Sequence, residues 1–221
     1  MKKILLIVLA LPLFLTSCMS SKSSLTRSAR YEKMYEEQPI SIMIMPPINH
    51  TNNVAAKEYL YTTLYQPLCD LGYYVFAPYM TLDVLQQESA YDSDQFLEGD
   101  LSKFKEYIGA DAVLFTIVNK WNKGMSSIHT NIEYRLVSTQ TNEVLYNHVG
   151  DITLDLSTNN GGLFGLIADA IVTAATPIVT SARNCNAYVL SDLPRGKYSE
   201  HHLKDQEFGA QPLNMSATIK K

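Results

Sequence analysis

A strictly alternating segment constrains the fold of this 221-residue chain more than any other feature. Every second residue from 128 to 136 can pack into a core, and polar residues stand between them: the first set is Ile128, Thr130, Ile132, Tyr134 and Leu136, the second His129, Asn131, Glu133 and Arg135. A two-residue period predicts a strand with one buried and one solvated face. Residues 139–142 predict a turn and residues 144–156 alternate again, so we expect an antiparallel hairpin on the edge of a sheet.

Upstream, residues 39–78 predict a βαβ unit. The apolar run 40–45 predicts a buried strand that stops at Pro46-Pro47, because proline cannot continue the hydrogen-bond ladder. Leucines then recur at helical spacing up to Gly72, with Pro67 as a predicted kink; they are Leu60, Leu64, Leu68 and Leu71. The strand-forming run 73–76 follows, and two strands joined through a helix run parallel.

The remaining pattern completes an α/β fold with a mixed sheet, a βαβ start, an antiparallel hairpin and a C-terminal helix. Residues 79–88 predict a short helix, and Asp100 caps another that Gly109 ends. Residues 110–118 predict a buried strand, and residues 163–180 an amphipathic final helix. Beyond Pro194 the chain is polar and predicts an extended or disordered tail.

The amino terminus has the anatomy of a signal peptide. Lys2 and Lys3 precede the apolar stretch 4–15, which is too short to cross a bilayer as a permanent helix. The following Leu15-Thr16-Ser17-Cys18 resembles the lipobox of bacterial lipoprotein precursors. That resemblance implies cleavage before Cys18 and acylation of Cys18, and several acyl chains anchor a protein durably. An uncleaved anchor, or an ordinary secretory peptide with an incidental cysteine, remains the alternative.

These patterns divide the chain into four parts. We expect a signal peptide over residues 1–17, a lipidated flexible tether over 18–38, one α/β domain over 39–193 and a polar tail over 194–221. An early frayed helix is the alternative to the tether for residues 20–38. Met19 follows Cys18, where an aspartate would, by the same resemblance, retain many lipoproteins in the inner membrane. We therefore expect an outer-membrane, periplasm-facing protein.

Charge and cysteine content limit the partners. The formal net charge is -4, from 18 basic and 22 acidic residues, and losing Lys2 and Lys3 leaves 16 against 22, or -6. An acidic chain without a basic patch argues against nucleic acid as a partner.

Cys69 and Cys185 remain in a compartment that permits disulfides, so they either pair or stay as buried thiols.

No residue set predicts a cofactor or a metal ion. The loop 159–165, Asn-Asn-Gly-Gly-Leu-Phe-Gly, lacks the lysine of a phosphate-binding loop, so we interpret it as a turn. The acidic residues at 92–100 miss the EF-hand pattern, because Phe96 and Leu97 stand where a ligand oxygen and a glycine are needed. His201-His202 lies in the polar tail without other ligands, which favours a solvated pair.

One catalytic hypothesis concerns His129 and His148. Both fall on the predicted hairpin, and cross-strand pairing could bring them together on one face; the competing interpretation is two solvated strand histidines. The candidate contact surfaces are the exposed hairpin edge, the small-residue stripe of the last helix, and the tyrosines of the first helix. Core packing is the favoured interpretation of the stripe, and lining the sheet is the alternative for the tyrosines. These last two sets are Gly165, Ala170 and Ala174, and Tyr59, Tyr61 and Tyr65.

The order of these elements behind a lipobox resembles a family of bacterial lipoproteins of unknown function, whose fold is like that of the TolB amino-terminal domain. The resemblance rests on the strand 42–47 with its Pro-Pro exit, the loop 49–53, residues 73–78 and Gly161-Gly162-Leu163-Phe164. It covers residues 39–194. Similar folds occur in the curli-secretion lipoprotein and in lipoproteins that activate penicillin-binding proteins, which implies work in envelope assembly or transport rather than catalysis.

We therefore expect a non-enzymatic, membrane-anchored lipoprotein that binds other proteins in an outer-membrane assembly or export system. Its expected partners are envelope proteins, a curli-like secretion lipoprotein among them, and homo-oligomerisation stays open. The alternative is a regulator of a peptidoglycan synthase. An envelope hydrolase is a third hypothesis and depends on His129 and His148.

Overall fold

Seven strands form one mixed sheet in the computed structural model, which describes residues 25–87, 90, 92–155 and 175–220. The sheet order is β3-β1-β4-β5-β6-β7, with β2 paired to β4. The strands are β1 (Ser41–Ile44), β2 (Ile48–Asn49), β3 (Tyr74–Val75), β4 (Ala112–Lys123), β5 (Ser127–Ser138), β6 (Val144–Asp155) and β7 (Asn214–Lys220). The α-helices are α1 (Arg27–Arg30), α2 (Glu32–Glu37), α3 (Val54–Thr63), α4 (Tyr65–Asp70), α5 (Pro78–Gln87), α6 (Ser102–Ile108) and α7 (Ala175–Leu190).

The predicted βαβ unit is confirmed. Strand β1 runs parallel to β3 on one side and to β4 on the other, and α3 and α4 connect β2 to β3. The predicted kink appears as a break at Leu64 between α3 and α4. Pro67 explains it, because proline has no N–H to donate to the carbonyl four residues earlier. Gly72 ends the helical stretch at a φ of 91°, a conformation that costs glycine little.

The antiparallel half also follows the alternating pattern. Strand β5 pairs with β4 on one side and with β6 on the other. The even-numbered residues of β5 from Ile128 to Leu136 are buried, whereas the odd-numbered ones from Ser127 to Arg135 are partly exposed. The hairpin turn contains Asn142 at a φ of 59°, in the left-handed region that asparagine tolerates better than most residues. The mixed-sheet α/β prediction is therefore confirmed.

Two cores lie on opposite faces of the sheet. The larger core joins the sheet to α3, α4 and α7, with Leu60, Leu68, Tyr134, Tyr146 and Val189 among its members. The smaller core covers only the β1–β4 side, where Phe115 packs with Leu85 of α5 and Phe104 of α6. This second layer does not extend across β6 and β7 within the described residues.

The structure differs from the prediction at the carboxyl end. Residues 214–220 are not a disordered tail but strand β7, which pairs parallel with β6 from Val149↔Asn214 to Asp155↔Lys220. Strand β6 of the hairpin is therefore not an edge strand. The prediction that an exposed hairpin edge serves as a contact surface is wrong. The final helix also continues to Leu190, beyond its predicted end at residue 180. The signal in 214–220 is a short alternation, in which Met215 is buried while Ser216 and Thr218 are exposed.

Of the two interpretations of the segment before Pro39, the flexible tether is wrong for residues 27–37, because α1 and α2 are helical there. The two helices dock on the larger core because Tyr31 and Met34 carry apolar surface that becomes buried there. Residues 25–28 also bond to the C-terminal segment: Arg27 N donates to Phe208 O at 2.8 Å and Ala210 N donates to Leu25 O at 2.8 Å. The predicted domain limits in the leader lie outside the described residues.

Candidate functional site

Some predicted sites fall outside the described residues. They are the lipidation residue Cys18, the loop 159–165 and the small-residue stripe at Gly165, Ala170 and Ala174. In the described part of the chain, no helix is both long and apolar enough to cross a membrane.

The strand register separates His129 from His148. His129 lies opposite Thr153, whereas His148 lies opposite Tyr134 of the buried set. His148 therefore points into the larger core and is buried, while His129 points to the opposite face and is partly exposed. The hypothesis that the two imidazoles meet on one face is wrong, because an odd-numbered residue of β5 and a partner of an even-numbered one cannot share a face.

His148 instead belongs to a buried polar cluster, the Asp192 cluster, formed by Arg27, Tyr31, His148 and Asp192. The Tyr31 hydroxyl lies 2.6 Å from His148 Nε2 and donates a hydrogen bond to Asp192. Arg27 Nε pairs with Asp192 Oδ1 at 3.1 Å, and Gln211 N donates to Asp192 Oδ2 at 2.9 Å. The Asp192 carboxylate is therefore satisfied on both oxygens, as a buried charge requires.

Burial sets the ionisation of this cluster. It lowers the pKa of His148 to about 4, since the charged imidazolium is poorly solvated there. Burial, and then the hydrogen bond to Asp192, raises the pKa of the Tyr31 hydroxyl well above its usual range. The side chains of His148 and Asp192 are fully buried, so a substrate cannot reach them. The cluster acts as a latch that holds the N-terminal helices against the fold.

A second carboxylate extends the latch. Asp205 Oδ2 accepts from Arg27 Nη1 at 3.1 Å and from Arg195 N at 3.1 Å, and Asp205 Oδ1 accepts from the Tyr35 hydroxyl at 3.1 Å. Sequence reasoning missed this whole arrangement. Its N-terminal members lie more than 100 residues from the groups they bond to, so no local spacing joins them.

Among the described residues, no helix packs on β6 and β7 on the side of the sheet away from the larger core. We define the open sheet face as the outward side chains of β4–β7 away from the larger core, namely Lys120, Asn122, His129, Asn131, Asp151, Thr153, Ser216 and Thr218. Register places these residues side by side, since directly paired residues of neighbouring strands point to the same face.

Hydrogen bonds order the centre of the open sheet face. His129 Nε2 lies 2.6 Å from Asp151 Oδ1, and Asn131 Nδ2 donates to Asp151 Oδ2 at 3.1 Å. The hydrogen bond from His129 lowers the pKa of Asp151. Both side chains of the His129–Asp151 pair are accessible to solvent, at 35% and 42% exposed. The face thus offers fixed donors and acceptors to a partner.

A groove lies on the other side of the molecule, between α3–α4 and α7. It has a volume of about 630 Å³, with Pro67, Leu71 and Leu190 among its apolar lining residues and Arg183 and Arg195 among its cationic ones.

Two of the predicted helix tyrosines differ in their exposure: Tyr61 is buried and donates to Pro78 O at 2.8 Å, whereas Tyr65 is partly exposed. The three tyrosines therefore do not form one surface.

Metal-binding geometry is not present in the described residues, which hold no group of three or more histidines, cysteines, aspartates or glutamates suited to a metal ion. Asp100 accepts from Ser102 N at 2.9 Å. The N-cap of α6 is nevertheless Leu101, which makes no side-chain capping bond, so the predicted cap at Asp100 is one residue too early. His202 Nδ1 lies 2.9 Å from Arg195 O and so takes part in the folded C-terminal segment.

Cys69 and Cys185 are both free thiols. Cys185 lies on α7 inside the larger core, with its Sγ 3.0 Å from the Thr130 hydroxyl, and burial raises its pKa to about 11. Cys69 on α4 is only half-buried. Of the two alternatives open from the sequence, the structure shows separate thiols.

Comparison with known proteins agrees with the fold. A family model described as "Putative lipoprotein GNA1162-like" matches residues 29–193. A relative from Neisseria meningitidis serogroup B, "Putative lipoprotein NMB1124/NMB1162", is 26% identical over 174 residues, or 77% of this chain and 80% of the relative. The crystal structure of lipoprotein GNA1162 from Neisseria meningitidis has a TM-score of 0.50 at 24% identity, covering 61% of this chain and 96% of that chain. The PelC dodecamer from Paraburkholderia phytofirmans has a TM-score of 0.44 at 14% identity, covering 70% of this chain and 88% of that one.

Proposed function

Because the chain belongs to the "Putative lipoprotein GNA1162-like" family, we propose that it is a Cys18-anchored outer-membrane lipoprotein that binds other envelope proteins and catalyses no reaction. The open sheet face is the observation that carries the binding part of this proposal. A sheet that is helix-covered on one side and left polar and hydrogen-bonded on half of the other presents a rigid recognition surface. The anchor keeps this surface near its partners and raises their effective concentration.

The exposed alternation of the open sheet face favours a polar protein partner. Ser216 and Thr218 of β7 continue the row begun by Asp151 and Thr153, so four outward side chains on two strands offer hydroxyl and carboxylate groups. Protein interfaces of standard size carry roughly ten direct hydrogen bonds. A preordered polar row supplies part of that number without ordering flexible loops first.

Labelled palmitate tests the anchor. We expect incorporation into the wild-type protein and its loss in Cys18→Ala, because the thiol of Cys18 is the proposed acylated atom. Cys69→Ala is the matched control and should keep the label, since it removes a thiol that the structure places half-buried within α4. Label that persists in Cys18→Ala would refute the lipobox interpretation.

Membrane separation on a density gradient tests the location. The wild-type protein should be recovered with the outer membrane. Met19→Asp should move it to the inner membrane, because the resemblance to lipoprotein precursors assigns retention to an aspartate after the cysteine. Recovery of the wild-type protein with the inner membrane would contradict the outer-membrane proposal but leave acylation standing.

Site-specific photocrosslinking tests the binding surface. A photoreactive residue at Thr218 or Thr153 should give a defined crosslinked partner in cells, and Thr218→Arg should abolish the crosslink formed from Thr153. The control position is Tyr65 on α4, which is exposed and lies on the side of the sheet that the larger core covers. Equal crosslinking from all three positions would indicate that the open sheet face is not the binding site.

Purified proteins distinguish the remaining alternatives. A regulator of a peptidoglycan synthase should change the rate of glycan polymerisation when the two proteins are mixed, and an unchanged rate removes that alternative. The envelope hydrolase has lost its structural basis, since His129 and His148 lie on opposite faces. A wild-type phenotype in a strain carrying both His129→Ala and His148→Gln would remove it as well.

A further inference from the structure

Large apolar side chains are exposed where the described chain begins. Leu25 is 47% exposed, and Phe208 is 61% exposed. The antiparallel bridge Thr26↔Gly209 puts Leu25 opposite Ala210 and Phe208 opposite Arg27. Leu25 and Phe208 are therefore diagonal neighbours on one face of the bridge, roughly 7–8 Å apart. Leu213 is also exposed and is four residues from Gly209 along the same segment. We call Leu25, Phe208 and Leu213 the anchor-side patch.

Ordered backbone holds this patch in place. Arg27 N donates to Phe208 O at 2.8 Å, Ala210 N donates to Leu25 O at 2.8 Å, and Val149 N donates to Leu213 O at 2.9 Å. The Asp192 cluster fixes the same segments from inside, through Arg27 and through Gln211 N. The three side chains therefore project from a rigid part of the fold, and their exposure is a property of the folded protein.

The proposed lipid anchor lies close to this patch in sequence. Only residues 19–24 separate Cys18 from Leu25, so seven residue steps of at most about 3.6 Å limit the span to roughly 25 Å. A chain this short cannot carry Leu25 to the far side of the domain. Acylation of Cys18 thus keeps Leu25, and with it the anchor-side patch, within roughly 25 Å of the anchored residue.

We propose that the anchor-side patch rests in the head-group region of the bilayer and sets the orientation of the domain. This inference rests on the proposed acylation of Cys18. Exposed apolar patches mark surfaces that are covered in use, and side chains of amphipathic interfacial segments are buried about 5–10 Å into the head-group and acyl boundary. We assign the bilayer as the partner of this patch because the short segment between Cys18 and Leu25 keeps the patch close to it.

In the orientation that follows, the end of β5 and β6 at Ser127 and Asp155 points away from the membrane. His148 contacts Tyr31 of the N-terminal arm, and it lies seven residues along β6 before Asp155, a distance of about 23 Å at roughly 3.3 Å per residue. Met125, in the turn between β4 and β5, is fully exposed beyond that end of the hairpin. The open sheet face then stands beside the membrane, available to proteins.

Quenching by membrane lipid tests the proposal. The acylated protein is reconstituted in phosphatidylethanolamine–phosphatidylglycerol vesicles whose acyl chains are brominated near the head group. The fluorescence contributed by the new tryptophan of Phe208→Trp should fall by roughly half in brominated relative to unbrominated vesicles. The reason is that bromine near the head group quenches an indole buried at the depth of an interfacial side chain. Met125→Trp is the control, and its added emission should stay unchanged. The buried Trp121 contributes the same background in both variants.

The outcomes separate this proposal from the anchor itself. Palmitate incorporation with no quenching of Phe208→Trp leaves the anchor intact and refutes the patch; that result would also follow if a protein covered the patch. If palmitate is not incorporated, the chain beginning at Cys18, carrying Cys69→Ala, is coupled through Cys18 to a maleimide phospholipid, and the same quenching comparison decides about the patch. Equal quenching of Phe208→Trp and Met125→Trp refutes the orientation in either arm.

Discussion

Gly196→Ala should destabilise the protein, although Gly196 lies in a segment whose composition predicts a disordered tail. The backbone of the C-terminal segment crosses the turn after α4 at this point, where Gly196 N donates to Leu71 O at 2.9 Å. A Cβ on residue 196 would lie 2.4 Å from Gly72 O and 2.9 Å from Tyr73 Cδ1. Carbon atoms pack at about 3.5–4.0 Å, and the nearest obstacle is backbone, so the two segments must separate.

The size of the effect follows from the overlap. Added methyl groups in a well-packed region cost about 1–3 kcal/mol, and each kcal/mol lowers the melting temperature of a 150–250-residue protein by about 2–4 °C. We therefore expect a decrease of about 2–12 °C. Detachment of the segment should also speed tryptic cleavage, since Arg195 and Lys197 flank Gly196.

Calorimetry and timed trypsin digestion of the same preparation measure both effects. Gly124→Ala is the matched control, because a Cβ there would meet Ser127 O at an ordinary 3.4 Å; its free energy of unfolding should change by no more than about 0.5 kcal/mol. If Gly196→Ala melts and resists trypsin like the wild type, the close crossing does not exist and the segment behaves as a tail.

Three further predictions concern the buried groups. Tyr31→Phe should lower the free energy of unfolding in urea by about 1–3 kcal/mol, since it leaves the buried Asp192 carboxylate with one donor fewer. The pKa of His148 is lowered to about 4 in the folded protein, against 6.5 for an ordinary histidine, so the unfolded chain binds the proton first. Stability should thus be complete above about pH 6.5 and fall by about 3 kcal/mol as the pH drops to about 4; His148→Gln should show a shallower loss in pH-dependent urea titrations. Native protein should react with an aromatic disulfide reagent at Cys69 before Cys185, whose thiol is buried with a pKa raised to about 11; an equal rate at both cysteines would contradict the packing of α7.

Local patterns were sufficient for most of the fold. The alternation from Ile128 to Leu136 predicted β5 and its buried face, and Pro67 and Gly72 predicted where the helical stretch bends and ends. These signals are readable because a strand or helix repeats its buried positions within a few residues. The proposed lipobox at Cys18 depends on the same kind of short continuous segment.

The predictions failed for segments that were assigned from their composition, because their structure depends on contacts with distant residues. The polar segment after Pro194 and the charged residues before Gln38 suggested a tail and a tether, yet they fold because each supplies what the other lacks. Arg27 provides the cation that Asp192 and Asp205 require, and Thr26 pairs with Gly209. Neither segment has enough apolar residues to order alone, and no pattern within either one reveals its partner.

The sequence by itself determined the class of fold and the two faces of the hairpin, because these depend on short-range chemistry and periodicity. Only the tertiary structure decided that His129 and His148 face opposite ways, that β7 covers the edge of β6, and that Asp192 joins both ends of the described chain. Register and long-range pairing settle such questions, and they depend on which distant groups can satisfy one another once buried.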